Sequence, residues 1–114
     1  MTKTREQLYE GMYILSAALS DEARGKAIDK LQAQIAEQGG EVKKVHDWGR
    51  RRLAYEIEGK REGHYFIFYF TCPTTAIDEL WRDYHLNEDL VRWMTLTADE
   101  VRETIEFKPL GVAQ

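Results

Sequence analysis

Apolar residues recur along this chain with two different periods. In "LYEGMYILS", residues 8 to 16, side chains alternate. Tyr9, Gly11, Tyr13 and Leu15 fall on one side and Glu10, Met12, Ile14 and Ser16 on the other, the habit of a strand rich in aromatic and branched residues. From Ser20 the period lengthens. Ser20 is placed to cap a helix, Asp21 and Glu22 fall in its first turn, and Ala27, Ile28, Leu31 and Ile35 recur at helical spacing before Gly39 and Gly40 supply a stop. The pattern predicts an amphipathic helix over 21 to 38.

"EVKKVHDWGRRRLAYEI", residues 41 to 57, returns to strand density, but Val42 and Val45 have opposite parity, which a bulge or bend near Gly49 reconciles. After the loop "EGKREG", "HYFIFYFTC" sets Phe66, Phe68, Phe70 and Cys72 against Tyr65, Ile67, Tyr69 and Thr71. Pro73 ends that strand, and Thr74 or Thr75 is placed to cap a second helix, near 75 to 86, with the stripe Ile77, Leu80, Trp81 and Tyr84. A turn at Asn87 leads to a last strand, "LVRWMTLT". Beyond Asp99 the periodicity ends, and a tail containing Pro109 and Gly111 is expected to be loosely ordered or dependent on a partner.

The order β-α-β-β-α-β predicts an α+β, ferredoxin-like sandwich: two helices on one face of a four-stranded antiparallel sheet. Residues 1–97 form the expected domain and 98–114 an irregular tail. Ile28, Leu31, Ile35, Ile77, Leu80, Phe68 and Phe70 are expected to be buried between helices and sheet. The opposite face, with Tyr65, Ile67 and Tyr69 on a central strand, has no element in the pattern to cover it and is expected to dock another molecule.

Composition narrows the class. With 114 residues, 43% of them hydrophobic, the chain is long enough for one core without metal or disulfide support. Cys72 is the single cysteine, which fits a reducing compartment. No apolar run approaches 18 residues and no leader is visible, so a soluble, cytoplasmic protein is expected. The net charge is −4, yet residues 41 to 61 hold seven basic residues against four acidic ones, a local +3 that leaves −7 on the remainder. Such a patch can grip a polyanion at one place while the acidic body meets a basic partner. The alternative is a solvated strand edge, where cations guard against sheet-to-sheet association.

Signals of catalysis are missing from the pattern. His46, His64 and His85 have no paired ligand spacing, neither a nucleophile elbow nor a glycine-rich phosphate loop occurs, and Asp78, Glu79 and Asp83 fall on the solvent side of a helix. No enzymatic activity, cofactor or metal is expected. Aromatic rings on a sheet beside arginines instead fit RNA, whose bases stack on tyrosine and whose phosphates accept paired bonds from guanidinium groups. "REGHYFIFYF" loosely echoes the third-strand motif of RNA-recognition domains.

Gly49, Arg51, Leu53, Ala54, Tyr55 and Ile57 spell G-x-R-x-L-A-Y-x-I, which closely resembles the signature of the bacterial sixth protein of the small ribosomal subunit. "YEGMYIL", "GHYFIFYFTCP", "IDEL" and "LNEDLVRWM" extend the likeness over residues 8 to 97. The resemblance implies a structural protein that binds the central domain of small-subunit ribosomal RNA beside the basic eighteenth small-subunit protein, without cofactor. The candidate RNA- or partner-binding residues are Arg50, Arg51, Arg52, Tyr65, Ile67, Tyr69 and Arg92, with Arg51 matched to the motif most directly. On a strand, Arg50 and Arg52 should share one surface and Arg51 the other, unless a bend at Gly49 rotates them. Two other readings stay open: a free-standing module dimerising through its open sheet, and a general binder of single-stranded RNA.

Overall fold

The computed structural model describes residues 5–57 and 60–102. Glu58, Gly59, the tail beyond Arg102 with Pro109 and Gly111, and the side chains of Ala54, Tyr55, Glu56, Ile57 and Lys60 lie outside that description. The elements are β1 (Glu6–Ser16), α1 (Asp21–Glu37), β2 (Glu41–Ile57), β3 (Lys60–Pro73), a 3-10 turn (Thr74–Ala76), α2 (Ile77–His85) and β4 (Leu90–Thr97). The strands form one antiparallel sheet in the order β2-β3-β1-β4. This is the expected ferredoxin-like topology.

Local chemistry explains where the elements begin and end. The Ser20 side chain accepts from the Ala23 amide at 3.1 Å, satisfying one of the free donors of the first turn of α1. Gly39, at φ +82°, takes the left-handed conformation that closes this helix. The expected threonine cap on the second helix is corrected: neither the 3-10 turn nor α2 has a side-chain cap. The Thr74 amide instead bonds the Arg5 carbonyl at 2.8 Å, so the chain enters α2 through a turn held by the sheet.

Between helices and sheet, Tyr13, Leu15, Leu31, Ile35, Phe68, Phe70, Leu80 and Tyr84 are buried in one cluster. Ile28 and Ile77, expected to be buried, are half-buried at its rim. The Tyr13 and Tyr84 hydroxyls meet at 2.8 Å, giving each polar tip a partner inside the core. Burial pushes the Tyr84 phenol up to about 12 and Tyr13 well above its ordinary value. The Cys72 thiol is pushed to about 11, by burial first and the Glu6 carboxylate second.

The reading of the other face as uncovered is corrected. Met12, Ile14, Leu53, Tyr65, Ile67 and Tyr69 form a second buried cluster, with Trp48, Val91, Ala98 and Val101 packed against it. Tyr65 and Ile67 are 0% exposed and Tyr69 1%. Residues 98–102, which have no helical or strand structure, run from β4 across this face towards β2 as a strap. The Ala98 amide bonds the Leu8 carbonyl at 2.9 Å. At the far edge the Arg102 carbonyl lies 2.8 Å from His46 Nε2; a carbonyl can only accept, so that nitrogen carries the proton.

Candidate nucleic-acid interface

β1 stops at Ser16, opposite Gly63 of β3, whereas β2 and β3 continue as a two-stranded ribbon to Ile57 and Lys60. The arginine cluster begins where this ribbon leaves the sheet. Its orientation depends on two irregularities in β2. One register shift, between Val42 and Lys44, lets Val42 and Val45 both face the helices. The opposite parities are thus reconciled at Lys43, six residues before the expected bend. A second shift lies between Asp47 and Gly49, and Gly49 sits at φ +75°, a conformation that favours glycine.

Beyond that bulge, Arg50 is opposite His64, Arg51 opposite Gly63 and Arg52 opposite Glu62. Alternation therefore puts Arg50 and Arg52 on the helix side and Arg51, with Leu53, on the strap side. All three arginines are exposed. Arg50 donates to Glu62 Oε2 from Nε at 2.9 Å and from Nη2 at 2.5 Å, so part of its charge is answered within the protein. Arg51 donates from Nε to the Trp48 carbonyl at 3.0 Å, which braces its stem against the bulge. Opposite Arg51, position 63 has room only for glycine, since a Cβ there would collide with the Ile14 side chain.

Arg92 is half-buried on β4 and pairs with Ile14 on the strap side. The register runs Arg92, Ile14, Tyr65, Gly49 across the sheet, so Arg92 lies three strand spacings, about 14 Å, from the foot of the ribbon. It shares a face with Arg51 but does not join the cluster. Tyr65, Ile67 and Tyr69 are buried in the second cluster, and the two tyrosines offer no ring face for stacking. The Tyr69 hydroxyl reaches Glu10 Oε2 at 3.3 Å, and burial, then that carboxylate, raise its pKa.

Two groups at the ribbon's foot escaped the sequence reading. His64 stacks on Phe66 with ring centres 4.7 Å apart, and its Nε2 lies 2.6 Å from Asp47 Oδ1. The same oxygen accepts from the Gly49 amide at 2.8 Å. The Asp-x-Gly spacing is a recognisable turn signal. The strap has no comparable signature. Among the described residues, no group of three or more His, Cys, Asp or Glu is placed to hold a metal, and no helix is long and apolar enough to cross a membrane. The arrangement offers guanidinium donors on both sides of the ribbon's foot, and among the described residues the Asp47–His64 pair has no nucleophile placed beside it.

Comparison with known proteins agrees with this geometry. The family model described as ribosomal protein S6 matches residues 8–97. Small ribosomal subunit protein bS6 of Protochlamydia amoebophila is 59% identical over 114 residues, covering 100% of both chains. The protein of that name from Chlamydia pneumoniae is 56% identical over 110 residues, 96% of this chain and 98% of the relative. Among solved structures, 30S ribosomal protein S6 from Thermotoga maritima aligns with a TM-score of 0.78 at 32% identity, covering 82% of this chain and 89% of that one. The chain with the arginine-bearing ribbon belongs to the ribosomal protein S6 family, whose members are structural, non-enzymatic components of the small ribosomal subunit.

Proposed function

We propose that this chain binds the central domain of small-subunit ribosomal RNA in the cytoplasm, together with the basic eighteenth small-subunit protein. One observation carries the reading: an acidic chain concentrates three exposed arginines at the foot of a two-stranded ribbon, on both of its sides. Guanidinium forks match phosphate oxygens in geometry and charge, so such a ribbon can lie along an RNA backbone. Arg51 is the favoured contact because it matches the family motif most directly, with Arg52 and Arg50, the latter paired to Glu62, as further contacts. Arg92 extends the same face toward the partner. Tyr65, Ile67 and Tyr69 support the docking surface from within the second buried cluster. Self-pairing through the open sheet is disfavoured, because residues 98–102 occupy that face.

The test is binding of the full chain to a central-domain RNA junction, with and without the eighteenth protein, against an unrelated RNA of equal length. Tight binding to the junction that strengthens with the partner is expected. Equal affinity for both RNAs, or a dimer that binds neither, would overturn the reading.

A further inference from the structure

We infer that Asp47 is the positioning residue for Arg51: its Oδ1 holds the bulge that decides which side of the ribbon each arginine occupies. This rests on the reading that Arg51 meets RNA. Asp47 Oδ1 accepts from the Gly49 amide at 2.8 Å and from His64 Nε2 at 2.6 Å. The first bond fixes Gly49 at φ +75°, and the second ties the bulge to the neighbouring strand. Side chains on a strand alternate, so the inserted residue inverts every position after it.

The alternative register can be written out. Without the bulge, Arg51 would move from opposite Gly63 to opposite Glu62, and Arg50 would take its place opposite Gly63. Arg51 would then lie on the helix side beside a carboxylate, and Leu53 would leave the second buried cluster. Leu53 and Asp47 therefore favour the same register, one by burial and the other by hydrogen bonds. Gly49 supplies the freedom for the bulge, and Asp47 supplies the bond that selects it.

The distinction can be measured with Asp47→Ala, Asp47→Asn, Arg51→Ala and the Asp47→Ala/Arg51→Ala double variant in the full chain. Asp47→Ala and Asp47→Asn remove the same negative charge, but only asparagine keeps an oxygen that can accept both bonds. Affinity for the central-domain RNA junction, with the eighteenth protein present, should fall about fivefold in Asp47→Ala, which loses both bonds, and stay within about twofold of wild type in Asp47→Asn, which keeps both. In the Arg51→Ala background, Asp47→Ala should produce a smaller further loss, because the slip then displaces only the weaker contacts of Arg50 and Arg52. Cross-strand nuclear Overhauser contacts read the register independently of RNA: Arg51 to Gly63 should persist in Asp47→Asn and be lost or mixed with Arg51 to Glu62 in Asp47→Ala.

If Arg51→Ala leaves affinity unchanged, the RNA reading fails, and the Overhauser contacts alone decide what Asp47 does. Intact Arg51 to Gly63 contacts in Asp47→Ala would overturn the inference. So would an equal loss of affinity from Asp47→Ala in both backgrounds, because Asp47 would then not act through Arg51.

Discussion

The two faces of the sheet are buried to the same degree by very different means. On one side α1 and α2 cover Phe66, Phe68 and Phe70 with Leu31, Ile35, Leu80 and Tyr84, side chains locked by two regular elements. On the other, Tyr65, Ile67 and Tyr69 lie under Trp48, Leu53, Val91 and a strap that contributes Ala98, Val101 and one carbonyl bond to His46. Burial alone therefore does not rank the faces. The helix side holds many mutual apolar contacts and opens only with the fold, whereas the strap has few and can open locally at low free energy. Neither face is a free platform for bases, which leaves the exposed arginines at the ribbon's foot as the part of the described molecule shaped for a polyanion.

The largest expected effect sharpens that contrast. Phe68, stacked obliquely on Tyr13 with ring centres 4.9 Å apart, lies in the thick layer. Phe68→Ala should destabilise by about 3 to 5 kcal/mol in a denaturant titration. Tyr69→Ala should lose less, about 2 to 4 kcal/mol, because a one-layer cover can settle into the vacated space. A loss below about 1 kcal/mol for Tyr69→Ala would show that its burial contributes little and would return that ring to the docking surface.

A further effect appears in alkali and belongs to the helix side. The folded state keeps the Cys72 thiol protonated up to about 11, against 9.0 ordinarily, and the Tyr84 phenol up to about 12, against 10.0. Each group's contribution is complete below its unfolded value and is lost as the pH rises through the folded one, because in that window only the folded state holds the proton. Stability should thus decline from pH 9 upward, by about 1.4 kcal/mol per pH unit for each group in its window. Cys72→Ala should delay the onset to near pH 10. An unchanged onset would mean that the thiol does not drive the first stage.

Smaller again is the strap's anchor. His46→Ala should lower global stability by about 0.5 to 1.5 kcal/mol, the net value of one hydrogen bond. It should also speed hydrogen exchange at the Ala98 amide more than at amides of α1, which follow only the small global loss. Equal acceleration in both places would show that the strap and the helices open as one unit.

Particular residues show why the fold could be read from sequence and the second face could not. Ser20, the helical spacing of Leu31 and Ile35, and the alternation through Phe66, Phe68 and Phe70 are local signals, and each predicted its element. The motif around Arg51 placed the arginines on a strand, and alternation predicted their unequal sides. Val42 and Val45 revealed that β2 is irregular but not where, because parity records an inserted residue without its position. The strap was invisible for a physical reason: "ADEVR" has no period, and it is held by a carbonyl bonded to a histidine 56 residues away. Tyr65 and Tyr69 were therefore expected on the surface.

The central claim is that the ribbon's arginines, unequally, carry the contact with RNA. Affinity for the central-domain RNA junction, with the eighteenth protein present, should be measured over a range of salt concentrations for Arg50→Ala, Arg51→Ala and Arg52→Ala. Stability should stay within about 0.5 kcal/mol of wild type in all three, since the side chains are exposed. Arg51→Ala should weaken binding by about 1 to 3 kcal/mol and flatten the slope of log affinity against log salt by about 0.7 to 0.9, the release of one phosphate-bound counterion. Arg50→Ala should change both least. Wild-type affinity and slope in all three variants would contradict the account and leave the cluster a solvated strand edge.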